Sequence, residues 1–244
     1  MAEAAPELVW DLKAELAEGP VWDAERASIW FVDIKGRRLH RYGHDDGATE
    51  SWDAPDQIGF APDGTLWFGT MDDSEDTASG ALYRWRDGEF TRHDDGYRVT
   101  NGPALSPDGR TLYHHDTTER CIYAFDHADG FLSNRRLFAV TEDGFADGPS
   151  VDSMGVLHVG LFNGWGVARF SPSGERIGTI RLPVQTVTKA AFGGPDLTDL
   201  YCTTAWLGNA DKRADQPTLG GLYRVKVETP GLPQARVRLS SAAS

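Results

Sequence analysis

Three residues with side-chain oxygens each stand directly before a Gly-Pro pair: Glu18, Asn101 and Asp147. An apolar run that alternates like a β-strand follows each phrase. Gly-Pro is ordinary turn chemistry, because proline fixes φ and glycine relieves strain, and this alternative explains the glycine and the proline. It does not explain the residue that precedes them. Two carboxylates and an amide oxygen are hard ligands, which favour Ca²⁺, Mg²⁺ or Mn²⁺ over a thiolate-type zinc site.

An internal repeat supplies the elements that must position these residues. Five strand-like runs share an aromatic residue or a histidine at one place, namely Trp30, Trp67, Tyr113, His158 and Tyr201, with successive spacings of 37, 46, 45 and 43 residues. A second strand-like run follows each, and a more polar third run often closes the unit. Short antiparallel strands repeating every ~40–50 residues predict an all-β fold, a β-propeller whose innermost strands surround one axis.

The three oxygen-bearing residues occupy one phase of this repeat. Glu18 and Asn101 precede their anchors by 12 residues, and Asp147 precedes its anchor by 11. Equivalent positions converge on the axis, so we expect one axial site that holds a divalent cation. Without a cation, the like charges would raise a carboxylate pKa. Counting 12 residues back from Tyr201 reaches Lys189, which either contacts a substrate or serves as a structural lysine.

Two hairpins between first and second runs carry insertions, at residues 72–79 and 207–219. Because they share one phase, we expect them to project from the same end as lids, with plain decoration as the alternative. The first insertion supplies candidate substrate contacts at Asp72, Asp73 and Glu75. Trp165 either lines the pocket or packs between blades. In "YHHDT", Asp116 and one histidine either face the channel or are structural.

Composition narrows the classes of partner. The formal charge of −13 argues against nucleic acid and anionic membranes, both of which need a basic footprint. The apolar runs fall far short of the ~20 residues of a membrane-spanning helix, and the first residues lack a signal-peptide pattern. We therefore expect a cytoplasmic monomer, with Cys121 and Cys202 as reduced core thiols.

The sequence resembles the SMP-30/gluconolactonase (regucalcin-like) family, especially its bacterial sugar-lactone hydrolases. The resemblance runs through "LAEGPVWD", "LWFGTMDD", "TNGPALSPDGRTLYHHDT", "FADGPSVDSMGVLHV" and "VTKAAFGGPDLTDLYCTTA". It implies a six-bladed propeller with a single axial divalent cation, Ca²⁺ being favoured and Zn²⁺, Mn²⁺, Mg²⁺ or Fe²⁺ also possible. By resemblance, Glu18, Asn101 and Asp147 match the metal ligands, Asp147 matches the general base, and residues 72–79 match a lid hairpin near the substrate.

One departure from the family concerns length. Here "SWDAPDQIGF" runs straight into "APDGTLWFGT", where family members carry about another blade with an Arg-x-Asn-Asp-Gly motif. We place the loss at the Phe60–Ala61 junction, and the five anchors agree with it. Either a segment is omitted from the sequence, or the protein is a deletion variant with an impaired pocket.

These observations predict one β-propeller domain over residues 1–244, with a disordered tail at about 240–244. The predicted function is metal-dependent hydrolysis of a small-molecule sugar lactone, of the gluconolactone or xylonolactone type, to an aldonic acid. A catalytically impaired metal-binding propeller or scaffold is the alternative. A propeller arylesterase is a remoter one.

Overall fold

A computed structural model describes residues 4–53, 66–72, 74–86 and 89–233. Within these residues the secondary structure is β-strand apart from one 3₁₀ turn at Ala210–Lys212. In chain order the strands are β1 (Glu7–Trp10), β2 (Ala17–Asp23), β3 (Ser28–Asp33), β4 (Arg38–Gly43), β5 (Thr49–Asp53), β6 (Leu66–Gly69), β7 (Gly80–Arg86), β8 (Glu89–Tyr97), β9 (Thr100–Leu105), β10 (Thr111–Asp116), β11 (Cys121–Ala128), β12 (Phe131–Val140), β13 (Phe145–Val151), β14 (Leu157–Phe162), β15 (Gly166–Phe170), β16 (Arg176–Arg181), β17 (Val187–Gly193), β18 (Asp199–Thr204) and β19 (Leu222–Lys226).

The described strands form five antiparallel meanders: β2–β5, β6–β8, β9–β12, β13–β16, and β17–β19 with β1. The N-terminal strand β1 pairs with β19 and so completes the last meander. From the sequence, the C-terminal run "ARVRLS" is also expected to pair with the N-terminal strand in one blade. Those residues lie outside the described part of the chain, as do the Phe60–Ala61 junction and the predicted tail at 240–244.

The first strands of the meanders lie side by side. β9 contacts β13, β13 contacts β17, and β17 contacts β2. The contact between β13 and β17 includes one parallel bridge, between Gly148 and Lys189. Positions of equal phase in the repeat are therefore brought together around one axis.

The hydrophobic core lies between neighbouring meanders. Because side chains alternate between the two faces of a strand, each sheet has an apolar face for both of its neighbours. Four clusters fill these spaces, represented by Leu82 with Leu112, by Ile122 with Leu161, by Val167 with Val187, and by Ile29 with Tyr201. Each fully buried aliphatic side chain stabilises the fold by about 1.5–3 kcal/mol. Among the described residues no such cluster joins β2–β5 to β6–β8.

The hairpins between the second and third strands lie at the end where the first strands begin. The end of each second strand pairs with the start of its first strand, as shown by Asp33 with Ala17 and Thr204 with Val187. The insertion at 207–219 therefore projects from this end. The insertion at 72–79 is held to the same end, because Arg98 Nη1 donates to Asp76 O at 2.9 Å just before β9.

Two further features are the absence of a membrane-spanning helix in the described ranges and the state of the two cysteines. No helix in the described ranges is both long and apolar enough to cross a membrane. Cys121 and Cys202 are free thiols, Cys202 fully buried and Cys121 half-buried. Burial raises the pKa of the Cys202 thiol to about 12, so this cysteine is an unreactive core residue.

Candidate axial site

Each of the strands β2, β9, β13 and β17 carries one extra residue near its start, a β-bulge against the second strand of its meander. The register shifts between Glu18 and Val21, between Asn101 and Ala104, between Ala146 and Pro149, and between Val187 and Lys189. A bulge re-aims the neighbouring side chain. Proline has no N–H to donate to the neighbouring strand, so it fits where the strand pairing is interrupted. Gly19 (φ +60°) and Gly102 (φ +107°) adopt the left-handed backbone conformation that favours glycine. In β2, β9 and β13 the Gly-Pro pair is therefore part of the bulge.

The side chains of Glu18 and Asp147 are neighbours at this end of the fold, close enough for each carboxyl group to shift the pKa of the other. Asp147 is only 6% exposed and Glu18 is half-buried. Burial raises the pKa of both carboxyl groups, and the charge of Glu18 raises the pKa of Asp147 further, to well above its ordinary value. The Gly19 N–H, which donates to Glu18 Oε2 at 2.8 Å, opposes part of the effect on Glu18. Two adjacent carboxylates that are largely shielded from water are costly unless a cation compensates them.

Lys189 brings a positive charge to this pair. It lies on β17, between β2 and β13, and its ammonium group lowers the pKa of both Glu18 and Asp147. Its aliphatic stem crosses the backbone of Gly148, where an added Cβ would lie 2.6 Å from two stem carbons. Gly148 is therefore a glycine that leaves room for Lys189. One lysine balances one of the two carboxylates, so the ionised set still carries a net negative charge.

Asn101 is linked to the strand that carries Asp147. Its Nδ2 donates to Thr117 Oγ1 at 2.9 Å, and the Thr117 hydroxyl donates to Ala146 O at 2.7 Å. In the sheet, Asn101 lies directly across from His115. The three oxygen-bearing residues of the Gly-Pro phrases are therefore brought to one region by β2, β9 and β13.

His115 is the histidine of "YHHDT" that contacts this region. Its Nδ1–H donates to Asp147 O at 2.8 Å, since a carbonyl oxygen can only accept. Burial lowers the pKa of His115 to about 3, and the nearby Lys189 charge adds to this effect, so the ring is neutral at pH 7. The adjacent Asp116 is structural instead, because its carboxylate accepts the N–H of Arg98 at 3.0 Å and of Glu119 at 3.3 Å.

The lid candidates are not joined to the carboxylate pair by any described contact. Asp72 accepts a hydrogen bond from the Ser74 hydroxyl, which lowers the pKa of Asp72. Glu75 is exposed, with φ +59°. Asp73 lies outside the described residues.

Trp165 lies in the hairpin between β14 and β15. It is 41% exposed and has φ +62°, a left-handed conformation that is strained for a residue with a side chain. Its N–H donates to Gln185 O at 3.1 Å, and its carbonyl accepts from Leu182 N at 3.0 Å. These two bonds hold an exposed indole ring at the same end as Asp147.

The donor set restricts the kind of metal site. In the described part of the chain, no group of three or more His, Cys, Asp or Glu side chains is arranged to hold a metal ion. Glu18 and Asp147 contribute two carboxylates, and a third ligand would have to be the Asn101 amide oxygen. Such a set contains oxygen donors alone.

Comparison with known proteins assigns the family. Residues 16–62 and 59–206 match the family described as SMP-30/Gluconolactonase/LRE-like region. Together these stretches span well over half of the 244 residues, and the chain belongs to this family.

Curated relatives align over nearly their whole length. A regucalcin of Danio rerio is 31% identical over 280 aligned residues, covering 92% of this chain and 95% of that protein. A pentonolactonase of Haloferax volcanii is 30% identical over 283 residues, covering 93% and 96%. A 6-deoxy-6-sulfogluconolactonase of Pseudomonas putida is 29% identical over 270 residues, covering 88% and 92%.

Solved structures share the fold. The calcium-binding protein regucalcin of Agrobacterium tumefaciens superposes with a TM-score of 0.91 at 21% identity, covering 97% of this chain and 98% of that chain. A gluconolactonase of Xanthomonas campestris gives a TM-score of 0.74 at 25% identity, covering 92% and 90%. The all-β propeller-type fold predicted from the repeat is confirmed, and the number of blades stays a prediction.

The family match is divided where the sequence departs from the family. Its two stretches meet and overlap at residues 59–62. The alignment with the Danio rerio regucalcin, at 280 residues, is longer than the whole 244-residue chain, so that relative contains residues without a counterpart here. This division coincides with the Phe60–Ala61 junction.

Proposed function

We propose that this protein is a sugar lactonase that opens the ring ester of an aldonolactone, with one divalent cation held by Glu18, Asn101 and Asp147. The observation that carries the proposal is the neighbouring carboxyl groups of Glu18 and buried Asp147, with Lys189 beside them. Membership of the SMP-30/gluconolactonase family and relatives named as lactonases of pentose and glucose derivatives support the choice of substrate.

The side chains fit a cation. Burial raises the pKa of both carboxyl groups, the charge of Glu18 raises that of Asp147 further, and a dication would relieve both effects. Asn101 Nδ2 is engaged by Thr117, which leaves Oδ1 as the amide atom for a ligand bond. Oxygen-only donors favour Ca²⁺, with Mg²⁺, Mn²⁺, Zn²⁺ or Fe²⁺ as alternatives to be tested.

When bound, the cation supplies a Lewis acid that polarises the lactone carbonyl. Asp147 accepts a proton from the attacking water through a carboxylate oxygen, acting as general base. The water oxygen bonds to the carbonyl carbon, the ring C–O bond breaks, and the proton passes from Asp147 to the released ring oxygen. The product is an open-chain hydroxy acid, and the second proton of the water leaves its carboxyl group for solvent, which gives the carboxylate.

Other side chains support this step. Lys189 places an ammonium group beside the carboxylates, where it stabilises negative charge that develops on the substrate. His115 stays neutral and holds the Asp147 backbone through the bond from Nδ1 to Asp147 O. Trp165 offers an apolar ring face against which a sugar ring can stack. Asp72, Asp73 and Glu75 belong to a lid that we propose contacts the substrate's outer hydroxyl groups.

The experiment is a pH-indicator assay of ring opening with gluconolactone and xylonolactone. The protein is first depleted with a chelator and then supplied with each cation in turn. Asp147→Asn should lower kcat by about 10²–10⁴-fold. Asp199→Asn is the matched control, because Asp199 is also a buried carboxylate but pairs with Lys226. Equal rates for wild type and Asp147→Asn would refute the proposal.

A catalytically impaired metal-binding propeller is the second candidate, favoured by the family match that divides at residues 59–62. Cation binding without turnover of either lactone would support it. Hydrolysis of aryl esters but not of lactones would instead support a propeller arylesterase.

We further propose that the protein acts as a cytoplasmic monomer. The free thiols Cys121 and Cys202 suit a reducing compartment. Light scattering of the full chain tests the oligomeric state, and a dimer mass would contradict it.

A further inference from the structure

We propose that Thr117 is a positioning residue that sets which end of the Asn101 amide faces the cation. This inference rests on the proposed function, since it concerns a residue that would hold the metal. Thr117 is carried by the turn after β10, and its own N–H donates to Val99 O at 2.9 Å, which ties it to the residue before β9.

The direction of the hydrogen bonds follows from the chemistry of the groups. The Thr117 Oγ1 lies 2.7 Å from Ala146 O, and a carbonyl oxygen only accepts, so the hydroxyl hydrogen points to Ala146. Oγ1 then acts as an acceptor toward Asn101, 2.9 Å away. Only the NH₂ end of an amide can donate. The Asn101 Nδ2 must therefore face Thr117, and Oδ1 must face away from it.

A metal ion makes this orientation matter. The amide oxygen binds a cation through a lone pair, whereas the NH₂ group presents hydrogens and repels it. If the Asn101 amide turned over, it would bring Oδ1 against the Thr117 lone pairs and offer NH₂ to the cation. Thr117 thus selects the ligating orientation before the ion arrives.

The same Thr117 hydroxyl group also fixes the distance between two of the proposed ligands, Asn101 and Asp147. Ala146 directly precedes Asp147, so the chain Asn101–Thr117–Ala146 joins β9 to β13 at the ligand positions. His115, two residues before Thr117, adds a second link through Asp147 O. Asn101 and Asp147 are therefore held at a fixed spacing by side chains of one hairpin.

The variants separate positioning from general stability. Thr117→Val keeps the shape and removes both hydrogen bonds, while Thr117→Ser keeps the hydroxyl. Thr141→Val is the matched control. Thr141 is buried, and its hydroxyl also donates to a backbone carbonyl, Gly144 O at 2.8 Å, without a bond to a proposed ligand. Circular dichroism melting establishes that each variant is folded.

The first readout is calorimetric titration of chelator-treated protein with CaCl₂ or MnCl₂, without any lactone. Thr117→Val should bind about 10–100-fold more weakly than wild type, the usual loss when a residue supporting a ligand is removed. Thr117→Ser and Thr141→Val should stay close to wild type. Wild-type affinity in Thr117→Val, or an equal loss in Thr117→Ser, would overturn the inference.

The second readout needs no metal. Hydrogen exchange of the Asn101 side-chain NH₂, followed by NMR in chelator, should be slow in wild type and fast in Thr117→Val. Equal exchange in the two proteins overturns the role of Thr117. Slow wild-type exchange together with no cation binding supports the orientation by Thr117 and instead refutes the proposed metal-dependent function.

Discussion

Glu18 and Asp147 lie on strands that flank β17, and their carboxyl groups are neighbours beside Lys189. Burial raises the pKa of both carboxyl groups, and the charge of Glu18 raises the pKa of Asp147 further. The contact therefore costs stability when both groups are ionised and no cation is present. This relationship connects the pH response and stability of the metal-free protein to cation binding at the proposed site.

Glu18→Gln should stabilise the metal-free protein as pH rises and weaken cation binding. A carboxyl group with a raised folded pKa retains its proton above the unfolded pKa, so stability is lost as pH rises through the folded value. In chelator, the wild-type melting temperature should therefore fall relative to that of Glu18→Gln as pH rises above the ordinary pKa of a glutamate. Scanning calorimetry over a pH series that begins at that value measures it.

The exposed Glu175→Gln serves as the control and should follow the wild-type curve. Added Ca²⁺ should flatten the wild-type pH response and leave Glu18→Gln nearly unchanged. Parallel melting curves for wild type and Glu18→Gln in chelator would contradict the prediction.

Lys189→Met should change activity and metal affinity in opposite directions. Removing a positive charge beside two carboxylates should strengthen cation binding by up to about tenfold, because one repulsive interaction is lost. The same change should lower kcat by about 10–100-fold, since negative charge on the substrate loses a partner. Calorimetry and the ring-opening assay read the two effects. Lys35→Met, an exposed lysine in the hairpin after β3, should alter neither.

Gly148→Ala should displace Lys189. The new methyl group would lie 2.6 Å from two carbons of the lysine stem, so the stem must move, at a cost of about 1–3 kcal/mol. Activity should fall toward the level of Lys189→Met. Gly96→Ala is the comparison for backbone strain without a clash, because Gly96 has φ +83° but open space around its α carbon. An active Gly148→Ala protein of wild-type stability would show that the close approach is unimportant.

Trp165→Ala should raise KM by about tenfold with little change in kcat, if the indole ring stacks on the sugar. Trp52→Ala is a matched control, because Trp52 is also 41% exposed but lies on β5. Trp165→Gly should also stabilise the fold by about 1 kcal/mol, since glycine relieves the strain of φ +62°. Unchanged KM in Trp165→Ala would assign the residue a packing role.

The strands and their phase were predictable because they depend on local chemistry. Alternating apolar residues and Gly-Pro breaks predicted the meanders, and counting from Trp30, Tyr113 and His158 placed Glu18, Asn101 and Asp147 at equivalent positions. The same count reached Lys189, which lies beside the carboxylates. A repeated unit places residues at the same position of the repeat in equivalent positions of the fold. Counting residues along the chain was therefore enough to predict that these side chains are equivalent.

The tertiary structure alone decided which polar groups meet. Thr117 and His115 form hydrogen bonds with carbonyl groups of β13, a strand of the next meander. The spacing of residues within "YHHDT" gives no information about these contacts. Asp116 looked equally suited to the channel but accepts backbone N–H groups instead. Side-chain direction at a strand end depends on the bulge and on the neighbouring sheet, so it arises only when the sheets pack. The sequence alone thus determined the fold class and the phase of the proposed ligands, while packing between meanders determined their spacing, charge and orientation.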